Sequence, residues 1–418
     1  IDRSRKLSDS AKSDFILPVQ RNYYTEYFIN ELVTQVDFSY LNQTYQPFSS
    51  VDNPGFSYPG LSPTFKIGLT DLMEDYRIMG GMRVGLDFVN KEFFFNFSNL
   101  KGRLDKEFVF QYRHIEDVIQ SAFVFRQKVL EGFYILTYPL NRVLRLKNTF
   151  LVRNENYIIA GPDELILKEP NVRQIWGGDK IQLIYDDSRE LGLNLPHGTK
   201  FMLFGEYNQM VDDPAHNLLV LGFDFRSYAR LHRQFIWANR LAGSTNFGKD
   251  RLMYFMGGTD GWISPKFDRE TRIDPSMNWA YQTLATNLRG FGQNARNGNN
   301  FIVLNSEFRF PVFTYLLNRP ISSEFVKNFQ VVAFGDLGTA WAGWNPYDKD
   351  NVLYTKYETY GPLRIKVQYE KDPIIGGIGF GARTKIFGYF MKGDFAWGIE
   401  DGKIKKEPIF YLSLNLDF

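Results

Sequence analysis

Cysteine is absent from this chain of 418 residues, and histidine is scarce. The first absence excludes disulfide frameworks, thiolate metal sites and cysteine nucleophiles together. The four histidines, His114, His197, His216 and His232, form no HxxH or HExxH pair, so the sequence predicts no metal site. It also contains no GxSxG nucleophile elbow. We therefore expect a protein that is not an enzyme and that needs no cofactor.

Long apolar runs and a dominant sign of charge are missing as well. No stretch of about 18 consecutive apolar residues occurs, which excludes a transmembrane helix but leaves open a membrane β-barrel, whose strands alternate lipid-facing and lumen-facing residues. The net charge is only +2, so no broad basic field is available for a nucleic-acid partner. The chain starts at Ile1 without the charged and apolar regions of a signal peptide. We expect any signal peptide, and any upstream domain, to precede this numbering.

Aromatic residues, by contrast, are abundant. The chain contains 39 Phe and 24 Tyr, yet its mean hydropathy is −0.31. A high aromatic content and a negative mean hydropathy are compatible because apolar and polar residues alternate along many short runs. Such a period of two residues is that of strands with two different faces. One face is dense in Phe and Leu and rimmed by Tyr and Trp, as in outer-membrane barrels. At about 9–11 residues per spanning strand, the chain accommodates roughly 14–18 strands.

Charged and polar residues occupy the other face of the strongest strands, where a barrel would place its lumen. The residues that define this polar face are Glu307, Arg309, Asp336, Asn415 and Asp417. We interpret residues 1–30 as an N-terminal segment, either a periplasmic linker or the end of a missing upstream domain, and residues 31–418 as the barrel. The first strand is expected near Val33–Leu41. We also expect a short amphipathic turn within Asp9–Leu32 and a helix over Pro275–Leu288 inside a loop.

Six motifs between Tyr138 and Trp341 resemble, in order, those of the BamA/TamA superfamily of outer-membrane assembly and translocation barrels. They are YPLNRVLRL (Tyr138–Leu146), LIYDDSRELGLNLPHGTKFMLFGEY (Leu183–Tyr207), YFMGG (Tyr254–Gly258), NLRGFG (Asn287–Gly292), VLNSEFRFPVF (Val303–Phe313) and VVAFGDLGTAW (Val331–Trp341). The resemblance is good from about Phe133 to Phe418. It implies an all-β fold, a 16-stranded antiparallel transmembrane β-barrel with a lumen-inserted loop, in the outer membrane of a Gram-negative bacterium.

The resemblance also implies a lumen lock around Arg289. The loop that carries Arg289, Gly290 and Phe291 would fold back into the lumen, where the arginine would bond Glu307 and Asp336. A buried pair of carboxylates needs a cation, and the planar fork of arginine can serve two carboxylates at once. Gly290 would permit the turn, and Phe291 would wedge against the lumen wall.

The segment before this arginine departs from the family pattern. About thirty residues separate Gly257 and Gly258 from Arg289, so the loop Thr259–Asn287 is expanded. We expect it either to cap the barrel or to contact a partner.

The end of the chain resembles the C-terminal signal by which outer-membrane barrels are recognised during assembly. Its outward row would consist of Phe410, Leu412, Leu414, Leu416 and Phe418. Recognition would proceed by strand addition to an exposed sheet edge.

Three functions remain open at this stage. The first is insertion or assembly of outer-membrane proteins through a lateral seam between the first and last strands, near Val33–Leu41 and Ser413–Phe418. The second is a dedicated protein-translocation pore, and the third is a structural barrel that anchors an upstream soluble domain or a larger complex. The expected partners are lipopolysaccharide and phospholipid, unfolded outer-membrane protein clients or a translocated protein, and accessory lipoproteins or complex subunits.

Overall fold

The computed structural model describes the chain except for residues 1–24, 38–44, 59–61, 120–122, 161–170, 286, 318, 350 and 361–362. Alternating residues form its strands, as β17 (Asn300–Phe310) illustrates. Val303, Asn305 and Glu307 of this strand are buried, whereas Leu304 is exposed. Successive side chains of a strand point to opposite faces, so the sequence period of two becomes an inner and an outer surface.

The strands are β1 (Tyr27–Asp37), β2 (Gln46–Pro47), β3 (Ser62–Asp71), β4 (Tyr76–Val84), β5 (Lys91–Asn99), β6 (Asp105–Ile119), β7 (Phe123–Pro139), β8 (Leu144–Ala160), β9 (Val172–Asp186), β10 (Arg189–Glu190), β11 (Pro196–Met210), β12 (Asn217–His232), β13 (Phe235–Gly248), β14 (Arg251–Met256), β15 (Trp279–Leu284), β16 (Arg296–Gly298), β17 (Asn300–Phe310), β18 (Gln330–Trp341), β19 (Thr355–Tyr360), β20 (Leu363–Gln368), β21 (Ile375–Ile386), β22 (Tyr389–Glu400), β23 (Lys403–Ile404) and β24 (Ile409–Leu414).

Sixteen of these strands pair antiparallel in one continuous row, which confirms the predicted all-β, 16-stranded architecture. The row runs β1, β3, β4, β5, β6, β7, β8, β9, β11, β12, β13, β17, β18, β21, β22 and β24. Within the described residues, no strand register joins β1 to β24. The first and last strands of the row therefore flank a seam.

The wall has a polar inside and an apolar outside. Arg83, Arg113, Arg309 and Arg383 are among the largest fully buried side chains. Large apolar side chains are exposed along the same strands, among them Phe95, Phe110, Leu304, Phe380 and Phe395. This inversion of the usual soluble pattern is that of a membrane barrel with a lipid-facing apolar band and a polar lumen.

A second, smaller sheet lies inside the row. β14 pairs in parallel with β15 and antiparallel with β16, and β15 pairs with β2. Its side chains reach lumen-facing groups of the wall: the Tyr281 hydroxyl donates to Glu155 at 3.1 Å, and the Tyr45 hydroxyl, beside β2, donates to Glu206 at 2.9 Å. We call β2, β14, β15 and β16 the lumen sheet.

One local expectation is wrong, and one strand begins earlier than expected. The helix expected over Pro275–Leu288 is replaced at Trp279–Leu284 by β15, because pairing with β14 satisfies its backbone and overrides a local period that also fitted a helix. The first strand begins at Tyr27, before residue 31, and the part of Asp9–Leu32 up to residue 24, where a short amphipathic turn is expected, lies outside the described residues. Residues 1–24 and Phe38–Leu41 lie outside the described residues.

Helical structure in the described residues is confined to the turn between β17 and β18. It comprises α1 (Val312–Leu316) and α2 (Glu324–Lys327). The side chain of Ser323 accepts a hydrogen bond from the Val326 backbone and so caps α2. No described helix is long and apolar enough to cross a membrane.

Candidate functional site: the lumen lock and the seam

Arg289 lies in the loop between β15 and β16 of the lumen sheet, and its guanidinium is buried against β17, β18 and β22 of the wall. Nε and Nη2 donate to the two carboxylate oxygens of Asp336 at 2.7 and 2.8 Å. Nη1 donates to Glu307 at 2.7 Å and to Asp394 at 3.4 Å. The guanidinium therefore binds Asp336 in a bidentate fashion and also bonds Glu307 on the neighbouring strand. Lysine cannot reproduce this geometry.

The lock extends beyond this arginine. Glu307 also accepts from Arg309 at 2.8 Å and from Arg383 at 2.8 and 3.0 Å. Three guanidiniums thus face three carboxylates, those of Glu307, Asp336 and Asp394. Charges buried to this degree persist only when paired and hydrogen-bonded, so each partner depends on the others.

The surroundings of Arg289 keep it charged. Burial by itself lowers the pKa of a guanidinium, but the carboxylates of Asp336 and Glu307 outweigh this effect and hold the Arg289 pKa well above its ordinary value. The carbon at the centre of the guanidinium also lies 3.5 Å from the centre of the Phe334 ring. The loop is therefore bound by a permanent charge.

Gly290 and Phe291 attach the loop to the last strand. Gly290 has a φ of +95°, and its N–H donates to the Tyr411 hydroxyl at 2.8 Å. The same hydroxyl donates to the carbonyl oxygen of Phe291 at 2.8 Å. The Phe291 ring is buried in an apolar cluster that includes Met256 and Leu288. Tyr411 belongs to β24, so the lock is connected directly to the seam.

Two wall glycines make this approach possible, and sequence reasoning missed them. A Cβ on Gly377 would lie 1.8 Å from the carbonyl oxygen of Arg289, and one on Gly398 would lie 2.5 Å from that of Gly290. The glycine-rich string Gly376–Gly388 is the signal that the sequence offers, since glycine inside a strand often marks the close approach of another backbone. Its glycine content is explained at Gly377 by the backbone of the loop.

The five residues of the proposed C-terminal signal do not share one face. Phe410 and Leu416 are exposed, and Leu412 and Leu414 are half-buried. The outward position expected for Phe418 is wrong, because its ring is buried, stacks on Tyr228 and lies 4.8 Å from the Arg309 guanidinium.

The reason is a turn at the end of the chain. β24 ends at Leu414, and Asp417 has a φ of +63°. The Asp417 carboxylate accepts from Arg226 at 2.8 Å and from the Tyr228 hydroxyl, and it forms an ion pair with Arg309 at 3.0 Å. These inward bonds draw the tail away from the wall, and Arg309 joins it to Glu307 of the lock.

No protein-family model and no curated protein matches this sequence. Solved structures, however, share its architecture. The crystal structure of BamA from Haemophilus ducreyi lacking POTRA domains 1–3 matches over 94% of this chain and 75% of that chain, with a TM-score of 0.55 and 11% sequence identity. The chain has the fold of the BamA barrel.

CdiB also matches at lower scores. CdiB from Acinetobacter baumannii aligns over 94% of this chain and 65% of its own, with a TM-score of 0.48 and 13% identity. CdiB from Escherichia coli aligns over 91% of this chain and 67% of its own, with a TM-score of 0.47 and 11% identity. The likeness to BamA is one of fold, which confirms the multi-pass outer-membrane barrel expected from the motifs.

Proposed function

We propose that this BamA-like barrel inserts or assembles outer-membrane proteins through the seam between β1 and β24, without making or breaking a covalent bond. The observation that carries the proposal is the shortness of β24. It spans six residues, Ile409–Leu414, whereas its neighbour β22 spans twelve. A short strand leaves few backbone bonds to break when a wall opens at its edge.

The filled lumen supports the same route. The lumen sheet and the Arg289 lock together occupy the interior, with Tyr254, Tyr281 and Arg289 all buried. A chain passing along the axis would have to remove these elements and expose the charges of the lock. A client that enters at the seam leaves the lock intact, so this geometry favours the seam over an axial pore.

This function would involve two kinds of partner, lipids around the wall and client proteins at the seam. The exposed aromatic band, including Phe110 and Phe380, would contact lipopolysaccharide and phospholipid. Unfolded outer-membrane proteins would bind the seam edge by strand addition. Accessory lipoproteins or complex subunits remain a prediction.

The seam can be tested with an engineered disulfide, because the chain has no cysteine of its own to mispair. Thr34 and Gln35 of β1 line the same cavity as Tyr389 of β22, next to the point where the tail leaves the wall. Thr34→Cys combined with Tyr389→Cys places one thiol on each side of the seam, so that oxidation can join β1 to β22. We expect the oxidised protein to lose insertion of an unfolded barrel client into vesicles and the reduced protein to regain it.

The matched control is a cysteine pair inside the wall. Leu183 of β9 and Leu203 of β11 face each other in register in the middle of the row, so Leu183→Cys with Leu203→Cys should form a disulfide without changing insertion. If oxidation of the seam pair left insertion at the reduced level, the seam mechanism would be wrong. The structural-anchor hypothesis would then gain support.

A further inference from the structure

The expanded loop does not only cap the lumen; three of its residues bind the edge of the last strand. The Ile263 N–H donates to the Leu412 carbonyl oxygen at 2.9 Å, and the Leu414 N–H donates to the Gly261 carbonyl oxygen at 3.1 Å. Trp262 lies opposite Ser413 in an antiparallel bridge. We call Gly261–Ile263 the edge strap.

The strap lies on the edge of β24 that faces the seam. The other edge of β24 is paired with β22, in a register that runs from Met391 opposite Leu414 to Ala396 opposite Ile409. A strand has only two hydrogen-bonding edges. Gly261–Ile263 therefore occupies the position that a barrel-closing strand, or an added client strand, would take.

The local sequence is built for this position. Gly261 has a φ of +66°, and a Cβ there would lie 2.7 Å from the Leu414 carbonyl oxygen, so glycine alone fits without strain. The Trp262 ring is buried and lies 4.6 Å from the Tyr411 ring, centre to centre. It packs in one cluster with Val332 and Phe334. The strap is therefore held by one anchor residue and two backbone bonds.

The strap also meets the lock at Tyr411. One face of this tyrosine receives Trp262, and its hydroxyl bonds the backbone of Gly290 and Phe291. Asp260, beside the strap, donates its N–H to the Asn287 side chain at 2.5 Å. Release of the strap would therefore disturb contacts of the Arg289 loop directly, because Tyr411 and Asp260 connect the two inside the lumen.

We propose that the edge strap is a built-in competitor that covers the client-binding edge of β24, so that client loading is a strand exchange. The inference rests on the proposed function and adds its regulation. An extended segment of an unfolded barrel protein can pair along all of Ile409–Leu414, whereas the strap covers only Leu412–Leu414. The incoming strand displaces the strap because it makes more backbone bonds on the same edge.

Trp262→Cys with Ser413→Cys tests the exchange directly. These residues face each other as a non-hydrogen-bonded pair, whose Cα atoms lie about 4.5 Å apart, within the range that a disulfide spans. We expect the oxidised protein to lose at least tenfold in client insertion into vesicles, and reduction to restore it. A photo-crosslinking residue at position 412 should capture the client only in the reduced form.

A second variant weakens the strap, whereas the disulfide fixes it in place. Trp262→Ala removes the anchor, leaves the strap with only its two backbone bonds and does not alter β24. We therefore expect crosslinking from position 412 to the client to become severalfold faster. The matched disulfide control joins Leu304→Cys and Leu337→Cys, which face each other across β17 and β18 away from the seam. Its oxidation should change neither insertion nor crosslinking.

The outcomes separate this inference from the proposed function. If the protein with the oxidised strap inserts clients normally while the Thr34–Tyr389 disulfide blocks insertion, the strap proposal is wrong. The seam mechanism would then still hold. Normal insertion with both disulfides oxidised would overturn both. A block by each disulfide, with faster crosslinking in Trp262→Ala, is the expected result.

Discussion

At the residue scale, the barrel depends on charges that have no access to water. Arg289 is 3% exposed, Glu307 1% and Asp336 5%. Their hydrogen bonds do not add stability in proportion to their number, because each charge was first removed from solvent. Loss of one partner is more harmful, since it leaves an uncompensated charge behind.

Arg289→Ala should lower the heat resistance of the folded barrel, by about 3–5 kcal/mol if the remaining carboxylates stay buried. Arg289→Lys should recover only part of this loss, because an ammonium group cannot bond Asp336 and Glu307 as the guanidinium does. The measurement is the temperature at which the compact form disappears in gel-shift assays. Arg269→Ala, at an exposed position of the same loop, is the control. Equal melting temperatures for Arg289→Ala and the parent would disprove the locking role.

Gly377→Ala should also loosen the lock, although no charge is altered. The new methyl group would overlap the Arg289 carbonyl oxygen, which lies 1.8 Å from its ideal position, so the loop has to move. Gly132→Ala in β7 is a matched control, because a Cβ there meets no atom within 4 Å. We expect protease cleavage within the loop for Gly377→Ala and none for Gly132→Ala. Identical digestion patterns would show that the wall tolerates the methyl group.

At the scale of the elements, three strands of the lumen sheet and the edge strap come from the same inserted loop. β14, β15 and β16 fill the interior, while Gly261–Ile263 reaches the wall. β15 is paired on both edges, with β14 and with β2 of another loop, so two loops hold each other in place. The expanded segment Thr259–Asn287 is thus an internal structure that contacts the seam from within.

Removal of the lumen sheet should change conduction. We expect the parent barrel to pass little current in planar bilayers, and replacement of residues 251–298 by a short flexible linker to raise the conductance severalfold. Replacement of the β19–β20 hairpin, in the next long loop, should not have this effect. A large conductance in the parent protein would contradict a filled lumen and favour the translocation pore.

At the scale of the whole molecule, the tail, the lock and the strap form one connected unit around β24. Arg309 bonds both Glu307 and Asp417, and Tyr411 joins the Gly290 backbone to Trp262. The last strand is therefore held by β22 along one edge and by side chains in the lumen, while the edge that faces the seam has only two backbone bonds to the strap. This distribution of contacts suits a wall that opens at the seam without unfolding elsewhere.

Loss of the tail contacts should accordingly weaken the seam. Phe418→Ala removes the ring that stacks on Tyr228 and lies beside Arg309, so β24 is held less firmly. We expect a lower gel-shift melting temperature and easier capture of the edge by a client at position 412. Leu416→Ala, at an exposed position of the same tail, should leave both measurements unchanged. Equal behaviour of the two variants would show that the buried ring does not support the seam.

The period-two alternation by itself determined the strands and the inversion of polar and apolar faces, because these features depend on which side of a strand each residue takes. It gave the number of strands only as roughly 14–18, and the resemblance narrowed that range to sixteen. The motifs around Arg289, Glu307 and Asp336 pointed to the lock for a similar reason: a buried charge has few alternatives to an opposite charge. Only the tertiary structure decided that Trp262 covers the edge of β24, that Phe418 turns inward and that Gly377 makes room for a backbone. Those outcomes depend on contacts between segments that are far apart in the sequence, and a local pattern of residues does not specify such contacts.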